Sequence, residues 1–283
     1  MKLSNIFLST LAVLLCCTAC SKDDESFKGK DADASLSIAV KAAGSAVTKG
    51  FHPNDENELA GEAKVNNLSV LVFDENGAQL IGYGWQATNS EGEASILNVP
   101  AMTMRAQIVI VSNTPENSLA GVTSYSDFES KLAQLADQSQ SNLVMSSPVI
   151  TTQAPLVKGD NYLGYASMGS ENINGIAEPV EIPRLAARLD LVNVKTDFTK
   201  TLLRNRTVRV EEVTILNQST ASRFFSRDYW GVVMATGHLG NSGATALNRD
   251  IANGSPINDT PYVHYVMEND GSEAPTEIQV RAT

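Results

Sequence analysis

The chain has 283 residues, 42% of them hydrophobic, and carries 21 Lys and Arg against 32 Asp and Glu, a formal net charge of −11. That length and apolar content exclude a disordered chain and suffice for one or two globular domains. The acidic balance, uninterrupted by any Lys/Arg-rich run, repels phosphate backbones and anionic membrane surfaces and argues against nucleic acid as a partner.

Met1 to Asn5 carry one positive side chain at Lys2, Ile6 to Leu15 form an apolar run, and the small residues Thr18 and Ala19 precede Cys20. These are the parts of a secretory signal, and the apolar run is too short to span a bilayer as a permanent helix. The stretch Cys17-Thr18-Ala19-Cys20 resembles a bacterial lipobox, in which Cys20 is diacylated and heads the mature chain. An ordinary signal peptide cut near Cys20 without lipid is the alternative. With cleavage before Cys20, Cys16 and Cys17 leave with the signal and the lipid uses the last thiol. Disulfides, thiolate metal sites and cysteine nucleophiles are then excluded together. Residues 20–33, rich in Lys and Asp, read as an acidic tether. Its Asp23-Asp24-Glu25 run resembles the surface-export signal of lipoproteins displayed on the outer leaflet, or is a plain linker.

From Ala34 onward the dominant period is two. Leu36, Ile38 and Val40 alternate with Ser35, Ser37 and Ala39 and predict a strand, after which Ala43 to Lys49 loosen into small residues. Phe51 to Glu62 is polar and acidic, a loop. Leu68 to Phe73 is an apolar β-rich run that ends in Asp74-Glu75-Asn76-Gly77, where Asn-Gly supplies a tight turn. Those carboxylates lack the spaced ligands of a calcium loop. Further strands fit Gln79 to Gln86, Ala94 to Val99 and Arg105 to Ser112. Ser126 and Glu129 form a capping box, and Phe128, Leu132 and Leu135 recur at helical spacing, predicting a helix from Asp127 to Asp137 packed on a sheet. Tyr162 to Ser170 is irregular and Gly-punctuated. A new β pattern begins with Val180, Ile182, Leu185, Leu189 and Leu191, which places a domain boundary near Glu178 to Pro183. Thr207 to Leu216 is a strand whose phase shifts at Glu211-Glu212, consistent with a bulge. Tyr262 to Val266 and Thr276 to Ala282 supply two more. The fold class is mainly β: two tandem, mostly antiparallel β-sandwich domains, residues 34–180 and 181–283, with one or two short helices.

No catalytic constellation is readable. His52, His238 and His264 each lack a His, Cys or paired acid at ligand spacing, so no metal site is assigned. No nucleophile elbow, Walker loop or dinucleotide fingerprint occurs, so no cofactor is assigned. Glu211 and Glu212 point to opposite faces of a regular strand and so cannot flank one glycosidic bond. Trp85, Trp230, Tyr229, Phe224 and Phe225 either line a sugar platform or pack in the core.

The order of these features resembles the fimbrillin family, the subunits of type V pili. The resemblance is carried by the lipobox at Cys20, the strand Ala34 to Val40 followed by a basic residue and an acidic loop, the stretch Leu68 to Gly77, Val144-Met145-Ser146, the stretch Val180 to Leu189, and Tyr265 to Asn269 followed by Pro275-Thr276. It implies transthyretin-like β-sandwich domains and assembly by strand exchange. A lipoprotein precursor, anchored in the outer membrane through lipid at Cys20, is cut behind its first strand by a trypsin-like protease. A terminal strand of the next subunit then fills the vacated groove, a β-augmentation. Carried onto this sequence, the displaced strand holds Leu36, Ile38 and Val40 within residues 34–49, and the cut falls between Lys49 and Gly50. Lys49 stands where the family pattern has Arg, and a loop lysine is the alternative reading. The chain stops at Thr283 inside a strand pattern, where the resemblance implies further strands and a donor segment, so the expectation is either a truncated sequence or a subunit without the usual donor.

The expectation is therefore a structural pilus subunit at the cell surface, not an enzyme, whose partners are other fimbrial subunits and, through adhesion, host or bacterial surface ligands. A stalk role, with cleavage after Lys49, is the first reading. An uncut, lipid-anchored protein at the pilus base and a glycan-binding surface lipoprotein using Trp85 or Trp230 are the alternatives.

Overall fold

Alternating apolar positions make the described chain mainly β, with about half of its residues in strands. The computed structural model describes residues 32–43, 59–191, 194–224, 238–239, 242–254, 262–269 and 275–283. In chain order come β1 (Ala34–Ala42), β2 (Lys64–Asp74), β3 (Leu80–Glu91), β4 (Glu93–Ala101), β5 (Ala106–Ser112), α1 (Tyr125–Ser130), β6 (Leu132–Gln134), β7 (Met145–Ser146), β8 (Ile150–Thr151) and β9 (Gly159–Leu163). There follow β10 (Val180–Ile182), β11 (Ala186–Leu191), β12 (Thr207–Leu216), β13 (Gln218–Ser219), β14 (Ala221–Arg223), β15 (His238–Leu239), β16 (Ser242–Ala252), β17 (Tyr262–Met267) and β18 (Glu277–Ala282).

One sheet runs β3-β2-β5, with β7 and β8 both on the far edge of β5; the other runs β10-β1-β4, with β9 also on β1. Because side chains alternate along a strand, β2 and β5 serve two cores at once. Val70, Val72, Ile108 and Ile110 face β1 and its Leu36, Ile38 and Val40. Leu71, Phe73, Val109 and Val111 face Tyr125 and Phe128 of α1 together with Phe224 and Met267 from the second half. This double burial is why both strands read in sequence as unbroken apolar runs. The second half holds the sheet β16-β12-β18 and the pair β11-β17, joined by the small cluster of Val213, Ile215, Leu189 and Val266.

The structure differs from the expectations at three places. The helix is six residues long, Tyr125–Ser130, and its cap is Ser124, whose side chain accepts from the Asp127 backbone N–H at 3.1 Å. Leu132 is not helical, because Leu132–Gln134 pairs with Ala221–Arg223 as a strand, a tertiary ladder that outweighs local helix propensity. The first sheet is also not wholly antiparallel, since β1 pairs in parallel with both β9 and β10. The stretch Tyr162 to Ser170, read as irregular, begins inside β9 and then forms short 3-10 turns.

The turn after β2 forms as its residues require. Gly77 adopts φ 72 and donates to the Asp74 carbonyl at 3.0 Å, and the Asp74 carboxylate accepts from the Ala78 backbone N–H at 2.7 Å. Glu75 pairs with Arg105 at 3.1 Å.

Gly164 ends β9 where the backbone presses on β1. It has φ +87, and a Cβ there would lie 2.6 Å from the Ala39 carbonyl oxygen and 3.2 Å from Pro179 Cα. Gly164→Ala combines left-handed strain with a clash against backbone, so it is expected to lower unfolding free energy by more than about 1 kcal/mol in urea titration. Wild-type stability in that variant would mean the contact with β1 is not tight.

Candidate assembly site

The first strand is the centre of its sheet. On one side β1 runs antiparallel to β4, from Ala34 opposite Ala101 to Lys41 opposite Glu93. On the other it runs parallel to β9 over Ala34 to Ile38 and to β10 over Val40 to Ala42. Both hydrogen-bonding edges are thus engaged. Leu36, Ile38 and Val40 are fully buried, as their alternation predicts. Ser37 is also buried, because β4 carries an extra residue between Ile96 and Val99. Asn98 takes φ 57 at that bulge, and its backbone N–H reaches the Ser37 hydroxyl at 3.4 Å.

Polar contacts pin the ends of the strand. At the start, Asp33 accepts from the Thr103 backbone N–H at 2.8 Å, and hydrogen bonds from Thr103 hold its carboxyl below the usual carboxylate range. The Ser35 hydroxyl donates to Asp160 at 2.6 Å, and the Asn161 amide donates to the Ser35 carbonyl at 3.1 Å. At the far end, Lys41 meets Glu181 at 3.3 Å, and the Ala42 backbone donates to the Gly92 carbonyl at 2.7 Å.

A second feature lies just beyond the segment that follows β1. Glu62, read in sequence as the end of a polar loop, is buried, with its side chain 3% exposed. Its carboxylate meets Arg188 of β11 at 2.7 Å, accepts from the Tyr265 hydroxyl of β17 at 2.7 Å and from the Leu59 backbone N–H at 2.9 Å. The Arg184 side chain donates to the Glu62 carbonyl at 3.0 Å. The chain entering β2 is thereby fastened to two strands of the second half. No pattern in the sequence announces this, since one acid among the carboxylates of that loop looks like any other.

The remaining predicted residues divide clearly. Cys20, Lys49, Gly50, His52, Phe225, Tyr229 and Trp230 lie outside the described residues, and of His238 only the backbone is described. His264 is half-buried with Nε2 2.9 Å from the Gln218 side-chain oxygen, and burial holds its pKa below the ordinary value. Trp85 is half-buried on β3 opposite Ser69, with its indole nitrogen buried and without a hydrogen-bond partner among the described residues. Phe224 stacks on Phe128 at 5.6 Å in the core. Among the described residues, no group of three His, Cys, Asp or Glu could hold a metal ion.

The expectation for Glu211 and Glu212 is overturned. Against β18 the strand carries an extra residue between Val210 and Glu212, and such a bulge brings successive side chains to one side. Both carboxylates meet Arg281, Glu211 at 2.7 Å and Glu212 at 3.3 Å, as an ion-pair cluster.

Fold and site together define a mainly β class of protein in which a strand from the start of the described chain fills the middle of a sheet. Residues 34–184 match the family described as Major fimbrial subunit protein (FimA), and residues 185–283 match the Fimbrium tip subunit Fim1C-like, C-terminal domain. The chain belongs to the fimbrillin family of fimbrial subunits. It is 46% identical over 284 residues to a Parabacteroides distasonis protein that bears the name of fimbrium tip subunit, Fim1C, covering 99% of this chain and 75% of that protein. It is 27% identical to the Major fimbrium subunit FimA type-2 of Porphyromonas gingivalis, over 95% of this chain and 68% of that one. A crystal structure of a P. distasonis protein described as a cell adhesion protein superposes with a TM-score of 0.82 at 45% identity, covering 89% of this chain and 75% of that chain. A P. gingivalis fimbrillin structure shares the fold at a TM-score of 0.61 and 18% identity, over 88% of this chain and 71% of that one.

Two substitutions probe the site. Ile38→Ala empties a fully buried position in the central strand, and is expected to cost about 2–5 kcal/mol in urea unfolding. Glu62→Ala removes the buried carboxylate that Arg188 and Tyr265 meet and is expected to cost about 3 kcal/mol or more. Adding Arg188→Met should recover part of that loss in a double-mutant cycle; strict additivity would show that the pair is not coupled.

Proposed function

We propose that this chain is a structural, non-catalytic subunit of a cell-surface fimbria, exported as a lipoprotein through Cys20, cut after Lys49 and joined to other subunits by strand exchange. The observation that carries the reading is the position of β1: at the start of the described chain, yet paired on both edges and buried at Leu36, Ile38 and Val40. Behind it lies Lys49, and behind that Glu62, fastened independently to β11 and β17. A cut between them separates a strand that completes the core from a body that keeps its own attachment.

Energetics favour replacement over simple loss. Burying an aliphatic side chain of this size contributes about 1.5–3 kcal/mol, so three of them account for much of the roughly 5–15 kcal/mol that holds an ordinary domain folded. Removing β1 also unpairs β4, β9 and β10 together. A groove left in that state is filled most simply by an extended segment with three alternating apolar residues, which restores both ladders. In this reading the partners are other fimbrial subunits, with the outer membrane as the anchoring site of the precursor and surface adhesion as the outcome.

A second reading concerns place in the filament. Residues 185–283 match the C-terminal domain of a tip protein, and the chain is 46% identical to a protein named as a tip subunit; both favour the distal end over the stalk. Antibody labelling of native filaments separates the two: one label at an end for a tip position, labels along the length for a stalk position.

Maturation is tested on protein recovered from sheared filaments of the native organism. The expected amino terminus is Gly50, and Lys49→Gln is expected to abolish that terminus and to hold the chain in the membrane fraction. A lipidated Cys20 terminus on the wild-type chain, confined to membranes, would overturn polymerisation by this route and leave a basal anchor.

A further inference from the structure

The chain is acidic as a whole, yet its cations are unevenly placed. Residues 195–209 carry Lys195, Lys200, Arg204, Arg206 and Arg209 against the single acid Asp197. Taking those fifteen residues out of the chain's 21 basic and 32 acidic groups leaves 16 basic against 31 acidic. The cations are interleaved with Thr, Asn and Leu rather than run together; Lys195, Lys200, Arg204 and Arg206 lie in the loop between β11 and β12, and Arg209 lies near the start of β12.

The loop is built, and it faces water. Its base is tied to the turn after β16: the Phe198 backbone N–H donates to Asn253 at 2.7 Å and the Gly254 N–H donates to the Thr196 carbonyl at 2.9 Å. Two successive turns follow, from Leu203 N–H to the Lys200 carbonyl and from Arg206 N–H to the Leu203 carbonyl, each at 2.9 Å. All of residues 199–207 are exposed. Leu202 is 90% exposed and Leu203 39%. Arg209 pairs with Asp250 at 3.3 Å, whereas Lys195, Lys200, Arg204 and Arg206 have no ion-pair partner among the described residues. Single exposed apolar residues are ordinary, but two adjacent exposed leucines in a knuckle tied at its base, with Lys200, Arg204 and Arg206 within four residues of Leu202 and without an ion-pair partner among the described residues, make a contact surface that combines apolar area with positive charge.

We infer that this knuckle docks onto the acidic body of a second copy of the chain in a head-to-tail contact. The inference rests on the fimbrial reading above with the chain repeated along the filament, and a single label at the filament end would remove its premise. Charge complementarity selects the occupant: the positive loop and the strongly negative remainder belong to the same molecule, so each copy carries both halves of the attraction. The two surfaces differ, which makes the contact heterologous and lets it propagate along a filament rather than close as a two-fold dimer. An anionic lipid surface would attract the knuckle but repel the rest of the chain, whose balance is opposite. The leucines add apolar area, and the cations steer the encounter and fix its direction.

The test uses the full-length purified chain and two variants, the double charge reversal Lys200→Glu with Arg204→Glu, and Leu202→Ser. Both sites are exposed on a loop, so the thermal midpoint should be unchanged, and a circular-dichroism melt checks this. By sedimentation at low salt, wild-type chain is expected to self-associate, each variant at least tenfold more weakly, and wild type more weakly again when salt is raised to about 0.5 M, where exposed charges are screened. Equal association in wild type and variants overturns the proposal. So does binding of wild type, lost in the variants, to phosphatidylglycerol vesicles without self-association, which would assign the knuckle to a lipid surface. Sedimentation needs no cut at Lys49, whereas the Gly50 terminus is read separately by mass. Failure of docking and failure of maturation are therefore distinguished.

Discussion

Everything in the first half depends on β1 occupying the middle of a sheet. A strand at an edge leaves one row of backbone groups to water, and its loss costs one ladder. A strand in the middle satisfies the inner edges of both neighbours, and its loss leaves buried N–H and C=O groups without partners. β1 does this with antiparallel β4 on one side and parallel β9 and β10 on the other. Its parallel partners arrive from far along the chain, so this ladder closes only after β9 and β10 exist. β18 is its opposite: among the described residues it pairs only with β12, and all six of its residues are exposed. Glu277 and Arg281 place charges on that outer strand among the exposed Ile278 and Val280, the usual protection of an open edge.

The second dependence is on β2 and β5. Each is buried on both faces, so the two cores share walls and a change in one core shifts the other. The core around α1 recruits Leu185, Ala186, Phe224 and Met267 from the second half, and Glu62 adds a buried ionic and hydrogen-bonded link to Arg188 and Tyr265. The start of β2 is thus held by residues of β11 and β17, whereas the ladder partners of β1 are β4, β9 and β10. An attachment of that kind lets the body keep its arrangement independently of the segment that precedes it.

Legibility in the sequence followed the range of the interactions. Strands whose burial is set by their own alternation, such as Leu36, Ile38 and Val40 or the run Leu68 to Phe73, could be placed within a few residues. So could the Asp74 to Gly77 turn, which needs only local backbone chemistry. What failed depended on distant partners. Leu132 and Leu135 have helical spacing, yet Leu132–Gln134 is a strand because Ala221–Arg223 lies beside it. β9 hid in a Gly-punctuated stretch because its pairing is with β1, near the start of the described chain. The bulge at Glu211 was readable as a break in phase, but its consequence, both carboxylates meeting Arg281, needed β18 in place. Glu62 carried no signal, since burial of one carboxylate among several is decided wholly by where Arg188 and Tyr265 come to rest.

The same physics bears on timing in the proposed assembly. With β1 in place, the precursor has a full core and no unpaired inner edge, so it can cross compartments as a monomer. Severing the peptide behind β1 leaves the ladders of β1 itself unchanged and ends the covalent tether that returns the strand to its groove. A tethered strand rebinds at an effective concentration that a free one cannot match, commonly in the millimolar range for short linkers. After a cut, dissociation of β1 becomes a bimolecular equilibrium, and a competing strand fixed on a neighbouring molecule gains the advantage of locality that β1 has lost. If docking first brings two copies together through a complementary surface, the competing strand is supplied before the groove ever faces water. Cleavage would then act as the commitment step because it transfers effective concentration from one strand to another, with the same ladder formed before and after.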